Sequence, residues 1–167
     1  MIHLSIILMA LGIIGIDMFQ TQTQQSLAVG QSLQLDGYSV RYDSLAQFPY
    51  ADGRYVTRAV VSVYKDGVFV GELYPRVDTY PDGETMTIPG LRSTLQDDLY
   101  IVLVNWQGVT SQEAPFKIYH NPLVNWLWLG AILLICGSVI AAWPDREAEY
   151  VPARVRREQK VIYQPGD

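Results

Sequence analysis

The chain has 167 residues, a formal net charge of −5 and a single cysteine. The phosphates of nucleic acids attract basic surfaces, so this acidic balance argues against nucleic acid as a partner. One cysteine excludes an internal disulfide, a Cys-x-x-Cys redox pair and a cysteine metal site. Any folded domain in this chain must therefore be stabilised by packing alone.

The first predicted element is an apolar segment at residues 1–19. Its polar side chains are those of His3, Ser5 and Asp17. A secretory signal peptide needs a basic start and a small-x-small cleavage site, whereas this chain has no Lys or Arg before Arg41 and no such site after the segment. The segment has about the length that a helix needs to span a bilayer. We therefore predict an uncleaved transmembrane helix over residues 1–19.

Residues 20–122 are predicted to form one extramembrane domain of about 100 residues, a usual size for a single fold. The polar stretch 20–26 (QTQTQQS) is interpreted as a linker. After it, short runs of β-branched and aromatic residues alternate with turn signals. Strands are predicted at 33–35, 38–42, 55–64, 68–73, 85–88 and 99–104, and around Phe116, Ile118 and Tyr119. This pattern predicts an all-β fold, a small antiparallel β-sandwich or barrel between two transmembrane helices.

Two Asp-Gly pairs give the most specific local predictions in this domain. Asp36-Gly37 and Asp66-Gly67 each separate two β-rich runs, which is a strong hairpin signal. The continuous apolar run 99–104 predicts a strand that is buried on both faces. Asp97-Asp98, directly before it, is interpreted as a solvated turn.

The second apolar segment, residues 123–143, is an unbroken run of 21 residues without a charge. This length predicts a transmembrane helix, and its tryptophans, Trp126, Trp128 and Trp143, lie near its two ends, where they favour the membrane interfaces. The tail at residues 144–167 contains Arg146, Arg154, Arg156, Arg157 and Lys160. By the positive-inside rule this tail is cytoplasmic, so the N-terminus is cytoplasmic and residues 20–122 lie outside.

Several stretches carry a resemblance to a known family. They are residues 29–42 (VGQSLQLDGYSVRY), 58–68 (RAVVSVYKDGV), 98–103 (DLYIVL) and 121–130 (NPLVNWLWLG). The last is the most specific, because a proline, two tryptophans and a glycine occur in it at fixed spacing. The order of parts resembles the C-terminal portion of CcmF, the haem lyase subunit of the cytochrome c maturation system. The resemblance covers the chain up to about residue 145.

The resemblance implies a cofactor and one of its ligands. CcmF-like proteins have a histidine in the span before this outer domain, where it serves as an axial ligand of a membrane-embedded haem b. His3 lies in the matching span, and imidazole is a common axial ligand of haem iron. The resemblance therefore implies that His3 binds the cofactor through its iron and that a second ligand comes from another span or chain. The alternative for His3 is a solvated position at a frayed N-terminus.

The resemblance implies a component of a haem lyase that helps transfer haem from a haem chaperone to apocytochrome c, with an activity that belongs to the assembled complex. The implied partners are the remaining CcmF-like segment, whose tryptophan-rich outer loop this sequence lacks, the haem chaperone CcmE, a CcmH-like thioreductase subunit, apocytochrome c and membrane lipid. The implied location is the inner (cytoplasmic) membrane, crossed more than once, with the β-domain on the periplasmic side. The alternatives are a non-catalytic membrane-anchored β-domain that scaffolds an assembly and an inactive gene fragment.

The remaining polar and small residues of the spans receive structural interpretations. Asp17 and His120 are interpreted as interfacial, with haem contact as the alternative for His120. The small residues suit close contact between helices; they are Gly12, Gly15, Gly130, Gly137 and Ala141. No catalytic residue is identified, because the sequence contains no hydrolytic, phosphate-binding or calcium-binding motif.

Overall fold

The computed structural model describes residues 2–104, 110 and 112–143 of the chain. In chain order its elements are α1 (Ile2–Phe19), β1 (Thr21–Ala28), β2 (Ser32–Leu35), β3 (Tyr38–Pro49), β4 (Tyr55–Lys65), β5 (Val68–Leu73), β6 (Arg76–Thr79), β7 (Thr85–Ile88), β8 (Gly90–Ser93), β9 (Asp97–Leu103), β10 (Glu113–Pro122) and α2 (Val124–Ala141). The predicted tail, residues 144–167, lies outside the described residues.

The strands form two antiparallel sheets that pack face to face. One has four strands in the order β1-β10-β9-β8, and the other has six, in the order β2-β3-β4-β6-β7 with β5 also paired to β4. Alternate side chains of both sheets enter a common core, which is built from Leu27, Leu33, Tyr38, Val40, Tyr42, Ala59, Val61, Val63, Val77, Leu99, Ile101, Leu103, Ala114, Phe116 and Ile118. The predicted membrane-anchored antiparallel β-sandwich between two apolar helices is confirmed.

Both Asp-Gly hairpins are confirmed. Asp36 and Gly37 join β2 to β3 with φ angles of 48° and 78°, and Asp66 and Gly67 join β4 to β5 with φ angles of 50° and 80°. Positive φ at both central positions matches the twist of the flanking strands, and Asp-Gly tolerates it better than most pairs. The Asp66 N–H donates to the Gly37 carbonyl over 2.9 Å, so the two turns lie side by side.

Two predictions about strands were wrong. The stretch 20–26 is mostly strand β1, which pairs with β10 along its whole length. Its side chains are largely solvent-exposed at the edge of the sheet, and only Leu27 is fully buried, so its sequence lacks an apolar alternation. Strand β9 is not buried on both faces, because Tyr100 and Val102 are half-buried while their neighbours fill the core. The short strands β6 and β8 were not predicted.

The two helices pack antiparallel, and small residues allow their close approach. A Cβ atom at Gly12 would lie 2.5 Å from the Leu127 nitrogen, and one at Gly130 would lie 2.7 Å from the Ser5 carbonyl oxygen. The predicted contact is therefore confirmed at these glycines, and Gly15 behaves in the same way against Pro122. Gly137 is also buried, whereas Ala141 is exposed and takes no part.

Both helices are long and apolar enough to cross a membrane, and most of their side chains are exposed in the structure. Helix α2 is fixed to the β-domain at its first turn, where the Leu123 N–H donates to the Gln96 carbonyl over 2.8 Å. The Asn125 side chain donates to the Thr94 carbonyl over 2.5 Å and to Asp98 over 2.7 Å. The helix pair therefore joins one end of the sandwich, which we call the membrane-proximal end.

Candidate functional site

His3 lies on the face of α1 that points away from α2. Four residues, Ser5, Leu8, Gly12 and Gly15, are buried in the helix pair. At about 100° per residue His3 falls on the opposite side of the helix, and its side chain is exposed. The described residues bring no second histidine to it, because the other histidine lies in β10 beyond the far end of α1.

The second histidine belongs to a group of polar side chains at the membrane-proximal end, which we call the proximal cluster. It consists of Asp36, Tyr38, Lys65, Asp97 and His120. His120 pairs with Thr21 in the register of β10 and β1, and Asp97 pairs with Pro122. Thr21 lies two residues after the end of α1, and Pro122 lies two residues before the start of α2. The β-hairpin turns and the helix junctions therefore bring the cluster to the membrane-proximal end of the domain.

Asp97 is the centre of this cluster. Its carboxylate accepts hydrogen bonds from the Tyr38 hydroxyl at 2.9 Å, from Thr94 at 2.9 Å and from the Lys65 ammonium at 2.8 Å. Burial by itself would raise the pKa of Asp97, but hydrogen bonds from Lys65, Thr94, His120 and Tyr38 outweigh it and hold the pKa well below its ordinary range. The same hydrogen bond to Asp97 raises the pKa of Lys65. Asp97 is therefore an ionised and well-paired carboxylate.

His120 bridges two carboxylates. Its Nε2 atom lies 3.2 Å from Asp97 Oδ2, and its Nδ1 atom lies 3.0 Å from Asp36 Oδ2. The Tyr38 ring packs against it at 5.6 Å between ring centroids. A neutral imidazole can donate to only one of these carboxylates, whereas the doubly protonated ring can donate to both. Hydrogen bonds from Thr21 and then from His120 lower the pKa of Asp36.

The proximal cluster connects the two sheets. Asp97 and His120 belong to the four-stranded sheet, whereas Tyr38 and Lys65 belong to the six-stranded sheet. Arg92 of β8 adds a further link, because its guanidinium donates to the Tyr38 hydroxyl over 2.9 Å. Chemically this is an electrostatic clamp that holds the ends of the sheets together.

The prediction of a solvated turn at Asp97-Asp98 was wrong. Both residues begin β9, and they are only 6% and 5% exposed. Asp98 accepts hydrogen bonds from Ser93 at 2.6 Å and from Asn125 of α2 at 2.7 Å. Burial of a carboxylate requires charge pairing or hydrogen bonds: Asp97 pairs with the Lys65 ammonium, whereas Asp98 accepts its hydrogen bonds from uncharged side chains. Asp98 links the domain to its helix through Asn125, and the interfacial position expected for His120 stays a prediction.

A cleft of about 530 Å³ lies beside the cluster. The two Asp-Gly turns form its walls, and its lining residues are Gln34, Leu35, Asp36, Gly37, Tyr38, Ser39, Tyr64, Asp66 and Gly67. Asp36 reaches it with a side chain that is 42% exposed. Among the described residues no group of His, Cys, Asp and Glu side chains is arranged to hold a metal ion. The cleft exposes one edge of the clamp to solvent.

This sandwich, joined at one end to two apolar helices, is that of a known family. A family model described as the CcmF C-terminal beta-sandwich matches residues 18–122. The chain belongs to the CcmF family. All residues of the proximal cluster lie inside the matched range, whereas His3 lies outside it.

Several CcmF-family relatives extend over most of this chain. It is 30% identical over 151 residues to the cytochrome c-type biogenesis protein NrfE of Haemophilus influenzae, and the aligned region covers 88% of this chain and 23% of that protein. It is 26% identical over 155 residues to the cytochrome c-type biogenesis protein CcmF of Pseudomonas aeruginosa, covering 92% and 23%. For the probable cytochrome c-type biogenesis protein NrfE of Escherichia coli K12, the identity is 26% over 149 residues, covering 88% and 26%.

A solved structure shares the CcmF-family fold. The cytochrome c heme lyase CcmF superposes with a TM-score of 0.69 at 16% sequence identity, over 86% of this chain and 24% of that chain. The chain thus spans about a quarter of the length of the relatives it matches. Family membership and the two apolar helices indicate a membrane protein, and the predicted family resemblance is confirmed.

Proposed function

We propose that this chain is a component of a cytochrome c maturation haem lyase and helps transfer haem from the haem chaperone CcmE to apocytochrome c. Membership of the CcmF family supports this role, as do relatives whose names state a role in cytochrome c biogenesis. Because the chain spans about a quarter of those relatives, the activity requires a remaining CcmF-like segment. The further partners are a CcmH-like thioreductase subunit and apocytochrome c.

The observation that carries this proposal is the free face of α1 around His3. His3 is exposed opposite the α2 contact, and it is followed on the same side of the helix by Ile6 and Ile7, which are 55% and 57% exposed. An imidazole bordered by apolar side chains fits the requirements of an axial ligand beside a porphyrin. An ionisable residue in a membrane span is by default a functional candidate.

In this role His3 supplies one axial ligand of a haem b, and a span of the remaining lyase segment supplies the other. A bound haem b provides one-electron chemistry, and the chain itself contributes the positioned imidazole. The helix contact at Gly12 and Gly130 fixes the rotation of α1, so that the imidazole faces the space where another span can pack. We place residues 1–19 and 123–143 in the inner membrane, residues 20–122 on the periplasmic side and the tail at 144–167 in the cytoplasm.

Reconstitution in cells tests this function. The chain is expressed with the remaining lyase segment, the chaperone and an apocytochrome, and covalently bound haem in the cytochrome is measured. We expect His3→Gln to reduce holocytochrome c formation to background while the complex still assembles. Asp17→Asn is the matched control, because it changes another ionisable side chain of α1 that is exposed, and it should leave formation unchanged.

Normal holocytochrome c formation by the His3→Gln protein would contradict the assigned role of His3. Normal formation in cells that lack this chain altogether would contradict the lyase function, and would favour a scaffold without haem chemistry.

A further inference from the structure

Three arginines, Arg54, Arg58 and Arg76, form what we call the arginine patch. Arg58 and Arg76 belong to strands β4 and β6 of the six-stranded sheet, and Arg54 directly precedes β4. Arg58 of β4 lies directly opposite Arg76 of β6 in the strand register. Its neighbour Ala59 enters the core, so Arg58 projects from the other face of the sheet. Like charges in directly opposed positions destabilise a sheet. This arrangement therefore has a cost for the free domain.

Among the described residues, the carboxylates near the patch pair with Arg54 and Arg76 and not with Arg58. Asp78 is fully buried, with one oxygen 2.8 Å from Arg54 Nη1 and the other 3.3 Å from Arg76 Nε. Arg54 also pairs with Asp52 at 2.7 Å. Within the described part of the chain Arg58 forms no ion pair, and it remains a cation on an otherwise acidic domain.

Unsatisfied hydrogen-bonding atoms concentrate in this patch. Among the described residues, buried side-chain polar atoms without a hydrogen-bond partner are Arg58 Nε, Arg76 Nε, Asp78 Oδ1 and, elsewhere, the Tyr42 hydroxyl oxygen. Most buried polar atoms in folded proteins have a partner, so each exception requires an explanation. Arg76 Nε and Asp78 Oδ1 lie 3.3 Å apart as an ion pair, so within the described residues Arg58 Nε is the donor of the patch that has neither a hydrogen bond nor an ionic partner. A guanidinium selects carboxylate oxygens as acceptors.

Aromatic rings hold the arginines in place. The Arg58 guanidinium lies 5.3 Å from the centroid of Phe48 and 5.8 Å from that of Tyr74. The Arg54 guanidinium lies 5.0 Å from the Tyr50 ring. Stacked guanidinium groups lose little freedom when they bind. Arginine and tyrosine are also the residues enriched in the energetic centres of protein interfaces.

We propose that the arginine patch is a docking surface for an acidic peptide segment of a soluble partner protein, with a partner carboxylate bound by Arg58. Strand β4 ends at Lys65 in the proximal cluster, and Arg58 precedes it by seven residues, or about 23 Å along an extended strand. The patch therefore lies towards the membrane-distal end of the domain, far from His3. This proposal rests on the proposed function in one respect, the placement of the domain outside the cytoplasm.

Peptide binding to the full-length chain in zwitterionic lipid nanodiscs tests the proposal without haem. The probes are a fluorescent peptide of alternating glutamate and glycine and the same peptide with glutamine in place of glutamate. We expect fluorescence anisotropy to show binding of the glutamate peptide about tenfold tighter than that of the glutamine peptide. The difference should decrease at high salt because part of the attraction is exposed to solvent.

Arg58→Gln should weaken binding of the glutamate peptide about tenfold, and Arg58→Lys should weaken it several-fold because the bidentate contact is lost. Arg41→Gln is the matched control. Arg41 lies in the six-stranded sheet, pairs with Asp43 at 2.7 Å and stacks on the Tyr64 ring, so its loss should leave affinity unchanged. Equal binding of both peptides would overturn the proposal, as would equal effects of Arg58→Gln and Arg41→Gln. None of these outcomes depends on whether His3 binds haem.

Discussion

Both ends of the β-domain contain charged side chains but use them differently. In the proximal cluster each charge has partners, and Asp97 alone accepts four hydrogen bonds from different side chains. In the arginine patch Arg58 opposes Arg76, and its Nε–H has no hydrogen-bond partner among the described residues. Buried charge stabilises the fold where its partners come from the same chain. Where a partner is missing, the charge is available for binding.

The largest effect is expected at the proximal cluster. Asp97→Asn removes the charge that pairs with Lys65 and His120 while keeping the shape of the side chain. We expect the free energy of unfolding to fall by about 3 kcal/mol, because the partially buried Lys65 ammonium loses its counter-charge and the hydrogen bonds from Tyr38, Thr94 and His120 to the carboxylate are weakened. Chemical denaturation of the full chain in detergent micelles, followed by circular dichroism of the β-domain, measures this change.

Asp66→Asn is the matched control for Asp97→Asn. Asp66 is exposed in a turn next to the cluster, and asparagine suits the positive φ of that turn equally well. The unfolding free energy of the Asp66→Asn protein should stay within about 0.5 kcal/mol of that of the original chain. Equal losses from both substitutions would show that the cluster does not clamp the two sheets.

The pH dependence of stability provides a second, smaller effect. Asp97 has a folded-state pKa below its ordinary value of 3.8. Its contribution is therefore present above the unfolded-state pKa and is lost as the pH falls through the folded-state pKa. We expect the difference in unfolding free energy between the original chain and Asp97→Asn to be full at about pH 7 and to shrink below about pH 4. A difference that stays constant over this range would mean that Asp97 is not ionised and paired.

The smallest effect is expected at the arginine patch. Arg58→Gln removes a cation that lies opposite Arg76 on the adjacent strand. The packing lost with the arginine methylene groups is offset because the repulsion between the two guanidinium groups is relieved. We expect a change in unfolding free energy of no more than about 0.5 kcal/mol, measured under the same conditions as for Asp97→Asn. A loss of about 2 kcal/mol or more would place Arg58 among the structural charges and remove the contrast between the two ends.

The elements that could be predicted from the sequence have local causes. Asp36-Gly37 and Asp66-Gly67 specify their hairpins through backbone preferences of the two residues themselves. Alternating apolar residues around Val61 specify the buried face of β4. The helix contact at Gly12 follows from its small size.

The elements that were missed depend on distant partners. Strand β1 is polar and exists because β10 offers hydrogen bonds along its whole length. Asp97 looked like a surface residue because unpaired carboxylates avoid burial, and its partners Tyr38, Lys65 and His120 come from three other strands. The two predicted hairpins do place Tyr38 and Lys65 at the same end of the sheet, which is the one local signal of the cluster.

The absorbance spectrum of the purified complex tests the proposed axial ligation of a membrane haem by His3. The complex of this chain with the remaining lyase segment is compared with its His3→Gln and Asp17→Asn forms, at equal protein content. We predict that the original and Asp17→Asn complexes show the full absorbance spectrum of a ferrous b-type haem after chemical reduction. In the His3→Gln complex this spectrum should be lost or should indicate a change of spin state. A full b-type spectrum in the His3→Gln complex, together with loss of that spectrum in a His120→Gln complex, would contradict the claim and place the ligand at the outer end of α1.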